Sequence, residues 1–156
     1  MELSFNWSRM DALSSLNMYD IMQARAAVFV VEQNCPYQDA DGVDLHSWHL
    51  CVRSGSELAA YARVVEPGVK YPQPSIGRVL TLQKFRSLKI GRALVAEAIR
   101  FSEATFPGQD IKIGAQAYLQ RFYESLGFQA TSELYDEDGI PHLEMIRAAS
   151  VPGALP

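Results

Sequence analysis

The stretch Arg86-Ser87-Leu88-Lys89-Ile90-Gly91-Arg92-Ala93 packs three basic side chains and one glycine into eight positions. It follows Ile76 to Leu82, whose β-branched and apolar residues predict a strand. It opens a segment from about Leu88 to Thr105 in which Ile90, Leu94, Ala98 and Phe101 recur at helical spacing. Pro107-Gly108 ends that helix. A strand running into a basic loop at a helix N-terminus offers an anion unpaired backbone N–H groups and the positive end of the helix dipole. Gly91 lets a diphosphate come close to the backbone, and Arg86, Lys89 and Arg92 can add charge-assisted hydrogen bonds. The spacing is neither that of a Walker loop nor that of the dinucleotide GxGxxG. Taken alone, the same residues also describe a capped helix with basic side chains facing solvent.

On the N-terminal side, Phe5 and Trp7 alternate with polar residues as in a short strand. Leu16, Tyr19, Met22, Ala26, Phe29 and Val30 then mark a helix from about Ser15 to Val31. Asn34 to Leu45 reads as a loop and Ser47 to Arg53 as a strand. Ser54-Gly55-Ser56-Glu57 is a hairpin signal leading into Leu58 to Val65, and Pro67 to Pro74, with three prolines, is a loop. On the C-terminal side, Ile111 to Ala115 predicts a short strand, Tyr118 to Leu126 a short helix closed by Gly127, and Phe128 to Tyr135 another strand. Asp136-Glu137-Asp138-Gly139 turns the chain into a last strand, Pro141 to Arg147, and the residues after Ser150 are expected to fray. Hairpins flanking strand–helix–strand crossovers make one α/β domain of the α+β kind, with a mixed, mostly antiparallel sheet, the economical architecture.

The 156 residues fit a single domain with a sizeable core. The longest strictly apolar run, Ala26 to Val31, is far short of the roughly 18 to 20 residues that cross a bilayer, and no basic, apolar leader opens the sequence. A cytoplasmic location without membrane contact is the expectation. Cys35 and Cys51 lack a CxxC spacing, so they read as small buried hydrophobes rather than as a disulfide framework or a zinc site. A net charge of −4 argues against generic nucleic-acid binding. The charge is uneven. Pro67 to Ala96 holds Lys70, Arg78, Lys84, Arg86, Lys89 and Arg92 with no acid, whereas Ala26 to Val52 holds Glu32, Asp39, Asp41 and Asp44 with no Lys or Arg. A second acidic knot is Glu133, Asp136, Glu137 and Asp138. Brought to one cleft, the poles would suit a polyanionic cofactor and a cationic substrate; kept apart, they are a solvated surface.

Some thirty residues after the basic loop comes Gln116-Ala117-Tyr118-Leu119-Gln120-Arg121-Phe122-Tyr123-Glu124-Ser125-Leu126-Gly127-Phe128. The order and spacing of these two pieces resemble the GNAT superfamily of N-acetyltransferases over roughly Ile76 to Arg147. Arg25 to Tyr37, Asp41-Gly42-Val43-Asp44 and Tyr135 to His142 look like its ElaA-like subgroup, which extends the resemblance over nearly the whole chain. The resemblance implies a sheet with helices on both faces and two central parallel strands, Ile76 to Leu82 and Ile111 to Ala115, that splay to admit acetyl-CoA. It implies that Val79, Leu80 and Thr81 offer backbone groups to the pantetheine arm like an added strand. Arg86, Ser87, Leu88, Lys89, Ile90, Gly91 and Arg92 match the pyrophosphate loop, with Lys89 where the middle glycine of the family normally sits. Gln116 takes the place of a frequent Asn or Gln near the cofactor, and Tyr123 that of the tyrosine that protonates the departing thiolate.

Acetyl transfer to an amine sets its own demands. An ammonium with pKa near 10.4 loses its proton at pH 7 at a cost of about 4.6 kcal/mol, so a base is needed. A strand N–H near Thr81 can stabilise the oxyanion, and direct attack in a ternary complex needs no protein nucleophile. Some relatives carry a Glu on the strand before the Gln position, where this chain has Ile111, which leaves Glu32 and His142 as candidate bases. Asp41, Asp44, His46 and His49 form a D-x-x-D-x-H-x-x-H pattern, but residues three apart on a strand face opposite sides, so no metal is expected. Cys35 has no histidine at a spacing that would make it a nucleophile. The primary reading is an acetyl-CoA-dependent N-acetyltransferase for a small-molecule or peptide amine, with a homodimer possible. Alternatives are an acyltransferase like the acyl-homoserine-lactone synthases, to which Arg25-x-x-Val28-Phe29 with Asp41 and Asp44 is similar, and a non-catalytic module that senses acyl-CoA.

Overall fold

The computed structural model describes residues 2–150; the expected fraying after Ser150 lies outside them. Strands β1 (Leu3–Arg9), β2 (Ser47–Ser54), β3 (Glu57–Val65) and β4 (Ser75–Thr81) form one antiparallel sheet in that order. Strands β5 (Ile111–Gln116), β6 (Phe128–Ala130), β7 (Tyr135–Glu137) and β8 (Ile140–Arg147) form a second, with β8 pairing all three others. Helix α2 (Ile90–Thr105) crosses from β4 to β5, so these two strands run parallel where the sheets meet.

Alternate residues of β2 and β3 explain why helices cover both faces. Leu50, Val52, Ala60 and Ala62 pack against Ile90 and Leu94 of α2, while Cys51 and Tyr61 pack against Ile21 and Ala24 of α1 (Ser15–Arg25). Covered on both faces, β3 is built of small and apolar residues from Leu58 to Val65, broken only by Arg63. A third cluster joins the two sheets through Val64, Ile76, Val95, Ile113, Phe128 and Met145.

Three predicted elements differ in detail. The first helix is α-helical only to Arg25 and continues as a π-helical stretch, Ala26–Glu32, which no residue type announces. Phe128 to Tyr135 is not one strand: the Ser132 hydroxyl accepts the Glu144 N–H in place of a ladder carbonyl, and pairing resumes only at Tyr135. The helix expected over Tyr118 to Leu126 is a 3₁₀ turn, Ala117–Leu119, followed by α3 (Gln120–Glu124), and Gly127 closes it at φ +94°.

Candidate active site

The two sheets are joined at one end and open at the other. Lys112 N–H donates to Pro74 O at 3.0 Å, tying the starts of β5 and β4 together, and no ladder follows. Between Tyr61↔Leu80 and Arg63↔Gly77 the β3–β4 register slips, so Arg78 and Val79 form a bulge, with Arg78 in the left-handed region at φ +50°. A bulge bends its strand, and here β4 diverges from β5 beyond it. The result is a cleft of about 780 Å3, lined at its narrow end by Val65 and Ser75 and at its wide end by Thr81, Arg86, Gln116 and Tyr118. Its walls are strand edges without a β partner, which is where an extended, amide-bearing ligand adds as a strand.

At the wide end, Gln83–Leu88 forms a 3₁₀ turn and Lys89 leads into α2. Lys89 adopts φ +53°, ψ +46°, supplying with a non-glycine residue the left-handed step that a glycine takes without steric cost. No side chain caps α2, so its first N–H groups stay available. Gly91 is the second residue of this helix, and a Cβ built on it meets no protein atom within 4 Å. Arg86 donates through Nε to Thr81 O at 3.0 Å and through both terminal nitrogens to Glu32, at 2.5 and 2.7 Å. The π-helical stretch thus delivers Glu32 to the wide end of the cleft, beside Arg86. Hydrogen bonding to Arg86 lowers the Glu32 carboxyl, so it is a weaker proton acceptor than a free glutamate. Arg92 instead braces the helix start against α3, donating to Ser125 Oγ at 2.8 Å. Ser87 and Leu88 are exposed, and Ile90 is buried against β3.

On the opposite wall, Gln116 donates through Nε2 to Gln33 Oε1 at 3.3 Å. Tyr123 lines the cleft, its ring packed edge-on against Phe122 and Phe128, and its hydroxyl has no hydrogen-bond partner among the described residues. Burial, with a smaller contribution from Tyr118, pushes its phenol up to about 12, so it stays protonated. His142 also lines the cleft, with Nδ1 2.7 Å from Ile140 O and Nε2 3.2 Å from a Glu137 carboxylate oxygen. Because a carbonyl can only accept, Nδ1 carries a proton, and a second proton on Nε2 would be shared with Glu137.

Beneath Arg63 and Arg78, which line the cleft, lies an arginine–aspartate network that sequence reasoning did not assemble, although it quoted Arg25, Asp41 and Asp44 as part of a resemblance. Arg25 and Arg63, 0% and 1% exposed, are buried among Asp39, Asp41 and Asp44. Arg25 reaches Asp44 at 2.7 Å and Asp39 at 2.9 Å; Arg63 reaches Asp41 at 2.8 Å and Asp44 at 2.9 Å. Arg78 closes the network on Asp39 at 2.9 Å, and Tyr37 donates to the same carboxylate. Burial works against the Asp41 charge, but Arg63 and Arg78 outweigh it and hold the carboxyl down at about 2. The acidic tract is therefore neutralised by arginines rather than open to a cationic substrate. Its metal-like pattern is taken up the same way: Asp41 and Asp44 face guanidinium groups, and His49 Nε2 donates to Asp44 O while Nδ1 accepts from Tyr61. Among the described residues no group of His, Cys, Asp and Glu could hold a metal ion. Cys35 is buried and donates to Asp138 O. The available signal was Arg63 itself, a lone cation between Ala62 and Val64 in the otherwise uncharged run Leu58 to Val65.

The bulged strand, the splayed parallel pair and the basic turn before α2 border one cleft, and comparison with known proteins shows the family to which this chain belongs. The profile of the acetyltransferase (GNAT) domain matches residues 20–148. This chain belongs to the GNAT acetyltransferase family. Among the family's curated members it is 43% identical to protein ElaA of Escherichia coli over 137 residues, covering 86% of this chain and 90% of ElaA. It is 44% identical to a UPF0039 protein of Synechocystis over 147 residues, covering 94% and 96% of the two chains. The crystal structure of Escherichia coli ElaA superimposes with a TM-score of 0.88 over 94% of this chain and 99% of that one, at 39% identity. An acyl-CoA N-acyltransferase from Pseudomonas aeruginosa superimposes with a TM-score of 0.89 over 94% and 100%, at 37% identity. Membership makes the chain an acyltransferase with an acyl-CoA co-substrate and an amine acceptor. Among the described residues, no helix is long and apolar enough to cross a membrane.

Proposed function

We propose that the protein transfers an acetyl group from acetyl-CoA to a primary amine by direct attack in a ternary complex. The observation that carries this reading is the splayed cleft, whose wide end is lined by Thr81 and by Arg86, on the turn that leads into the uncapped start of α2. The diphosphate would lie on the N–H groups around Ile90, Gly91 and Arg92, with Lys89 adding charge. The pantetheine amides would pair with the free edge of β4 at Val79, Leu80 and Thr81, bringing the thioester toward Gln116 and Tyr123. Arg86 is engaged with Glu32, but that pair is exposed and such pairs are worth only about 0 to 1 kcal/mol. A diphosphate therefore competes readily for the guanidinium.

The acceptor nitrogen attacks the thioester carbonyl, a C–N bond forms and the C–S bond breaks. A backbone N–H of bulged β4 would stabilise the oxyanion. The neutral Tyr123 hydroxyl donates to the departing sulfur. With its phenol at about 12 it would not release a proton outright to a thiol of pKa near ~8.5, so its proton is replaced by the one the attacking nitrogen sheds. His142 suits the role of base better than Glu32, whose carboxylate is held by Arg86: its Nε2 would take the proton the amine loses, and the Glu137 carboxylate 3.2 Å away would stabilise the imidazolium so formed.

A test measures thiol release from acetyl-CoA over a panel of amines, with donor binding on the same samples. The expected result is saturable donor binding and turnover with at least one amine. Tight donor binding without turnover on any amine would contradict the enzymatic reading.

A further inference from the structure

One short segment crosses the open side of the cleft. Glu32, Gln33 and Cys35, at the end of the π-helical stretch and just beyond it, all line the cleft, yet their partners stand on opposite walls. Glu32 holds Arg86 at the wide end, on the side of the first sheet. Gln33 accepts from Gln116 of β5 at 3.3 Å, and the Cys35 thiol donates to Asp138 O in the turn between β7 and β8, also at 3.3 Å. Consecutive residues that touch both walls have to bridge them, so Glu32 to Cys35 form a strap over the cleft. The strap's backbone is fixed as well: Gln33 N–H donates to Val28 O at 3.2 Å and Cys35 N–H to Val30 O at 3.0 Å, while exposed Asn34 turns the chain at φ +50°. A segment tied by side chains to both walls and by its own backbone opens only at a cost.

Resting on the acyl transfer proposed above, we infer that the acceptor is a free small-molecule amine, and that the strap excludes an amine carried on a folded protein surface. Gln116 and His142 stand directly opposite each other in the β5–β8 ladder and both line the cleft, so the strap tied to Gln116 passes close to the proposed base. A small amine can reach His142 and Tyr123 beneath the strap. A rigid surface that carries a lysine cannot follow its side chain under a bridge bonded to both walls. The size of the cleft points the same way: at about 780 Å3 it lies within the range of about 300 to 1,000 Å3 typical of small-molecule sites, and the pantetheine arm takes up part of it. Donor binding does not remove the bridge. A diphosphate that takes Arg86 frees Glu32, but the ties of Gln33 and Cys35 lie on the other wall and remain. A free alkyl amine and a surface lysine share the same nitrogen chemistry, with a pKa of about 10.4, so discrimination between them reports access rather than reactivity.

The experiment supplies acetyl-CoA together with either a panel of free small amines or a folded, lysine-rich protein. Thiol release and acetylation by mass spectrometry are measured, each corrected for the reaction without enzyme. The expected result is at least one small amine used with a kcat/KM about 100-fold or more above that for the folded protein, counted per lysine. Removing both ties to the second sheet, with Gln33→Ala and Cys35→Ala together, narrows that ratio about tenfold or more by admitting surface lysines. Cys35→Ser alone, which keeps an O–H donor for Asp138 O, keeps the ratio. Comparable use of the folded protein by the wild type, or a ratio unchanged in the double variant, overturns the inference; should the double variant not fold, the wild-type ratio decides by itself. If the wild type turns over no amine of either kind, the proposed function falls and takes the inference with it. Turnover that favours the folded protein leaves the proposed function standing and removes the inference alone.

Discussion

At the level of single residues, the proposed mechanism gives chemistry to Tyr123 and binding to Gly91, and the two can be tested separately. Tyr123 is held by ring packing and lines the cleft, and its hydroxyl has no partner among the described residues, so under the proposed mechanism its removal would take away a proton donor and little else. Tyr123→Phe is expected to lower kcat by about 100-fold while donor affinity changes less than about twofold, as steady-state kinetics and calorimetric titration would show. An unchanged kcat removes Tyr123 from the acid role. Gly91 has an ordinary helical backbone and open space where a Cβ would stand. Gly91→Ala should therefore raise the unfolding free energy by about 0.5 to 1 kcal/mol through helix propensity, yet weaken acetyl-CoA binding. Denaturant unfolding and donor titration on the one variant check both halves. Loss of stability would place the glycine's role inside the fold instead of at the ligand.

Elements set these residues in place, and the bulge of β4 does so through the arginine–aspartate network beneath it. Asp44 accepts from both Arg25 and Arg63, so Asp44→Asn leaves two buried guanidinium groups short of charge and should destabilise the protein by about 3 to 5 kcal/mol in denaturant unfolding. A loss below about 1 kcal/mol would mean that the network is not needed for folding. The sign of its pH dependence follows from Asp41. Folding lowers this carboxyl from an ordinary value near ~3.9 to about 2, so its contribution is complete above about pH 4 and is lost as the pH falls through 2. Stability that instead began to fall near pH 6 would point to a different group.

The same elements mark what could be read in advance. Strand alternation, the hairpin at Gly55 and the periodic stripe of α2 are local signals, and the sequence carried them plainly. The π-helical stretch and the bulge at Arg78 are not local: each exists because distant segments fix the chain on both sides. The pairing of Arg25 and Arg63 with the aspartates was missed for a related reason. A charged side chain reads as solvated until its partners are known, and those partners lie fourteen to twenty-two positions away in sequence. The candidate site was legible where one segment carries it, as around Lys89 and Tyr123, and illegible at the narrow end, which three separate segments build.

Over the whole molecule, the two poles of charge meet instead of serving separate ligands. Glu32 pairs with Arg86, and Asp39 and Asp41 with Arg78, so the acidic and basic stretches largely cancel across the cleft. The positive potential left at the wide end comes from Lys89 and the start of α2. Donor binding should weaken as ionic strength rises, and Glu32→Gln should tighten it several-fold at low salt by releasing Arg86, with kcat altered less than about threefold. A large fall in kcat for Glu32→Gln would instead restore Glu32 as the base.

Backbone-amide NMR during titration with acetyl-CoA addresses the cleft itself. Val79 to Thr81 on β4 and Lys89 to Arg92 at the start of α2 should shift together and saturate at one donor per chain. Saturable shifts confined to other segments, with these two silent, would contradict the assignment of the cleft to the acyl donor.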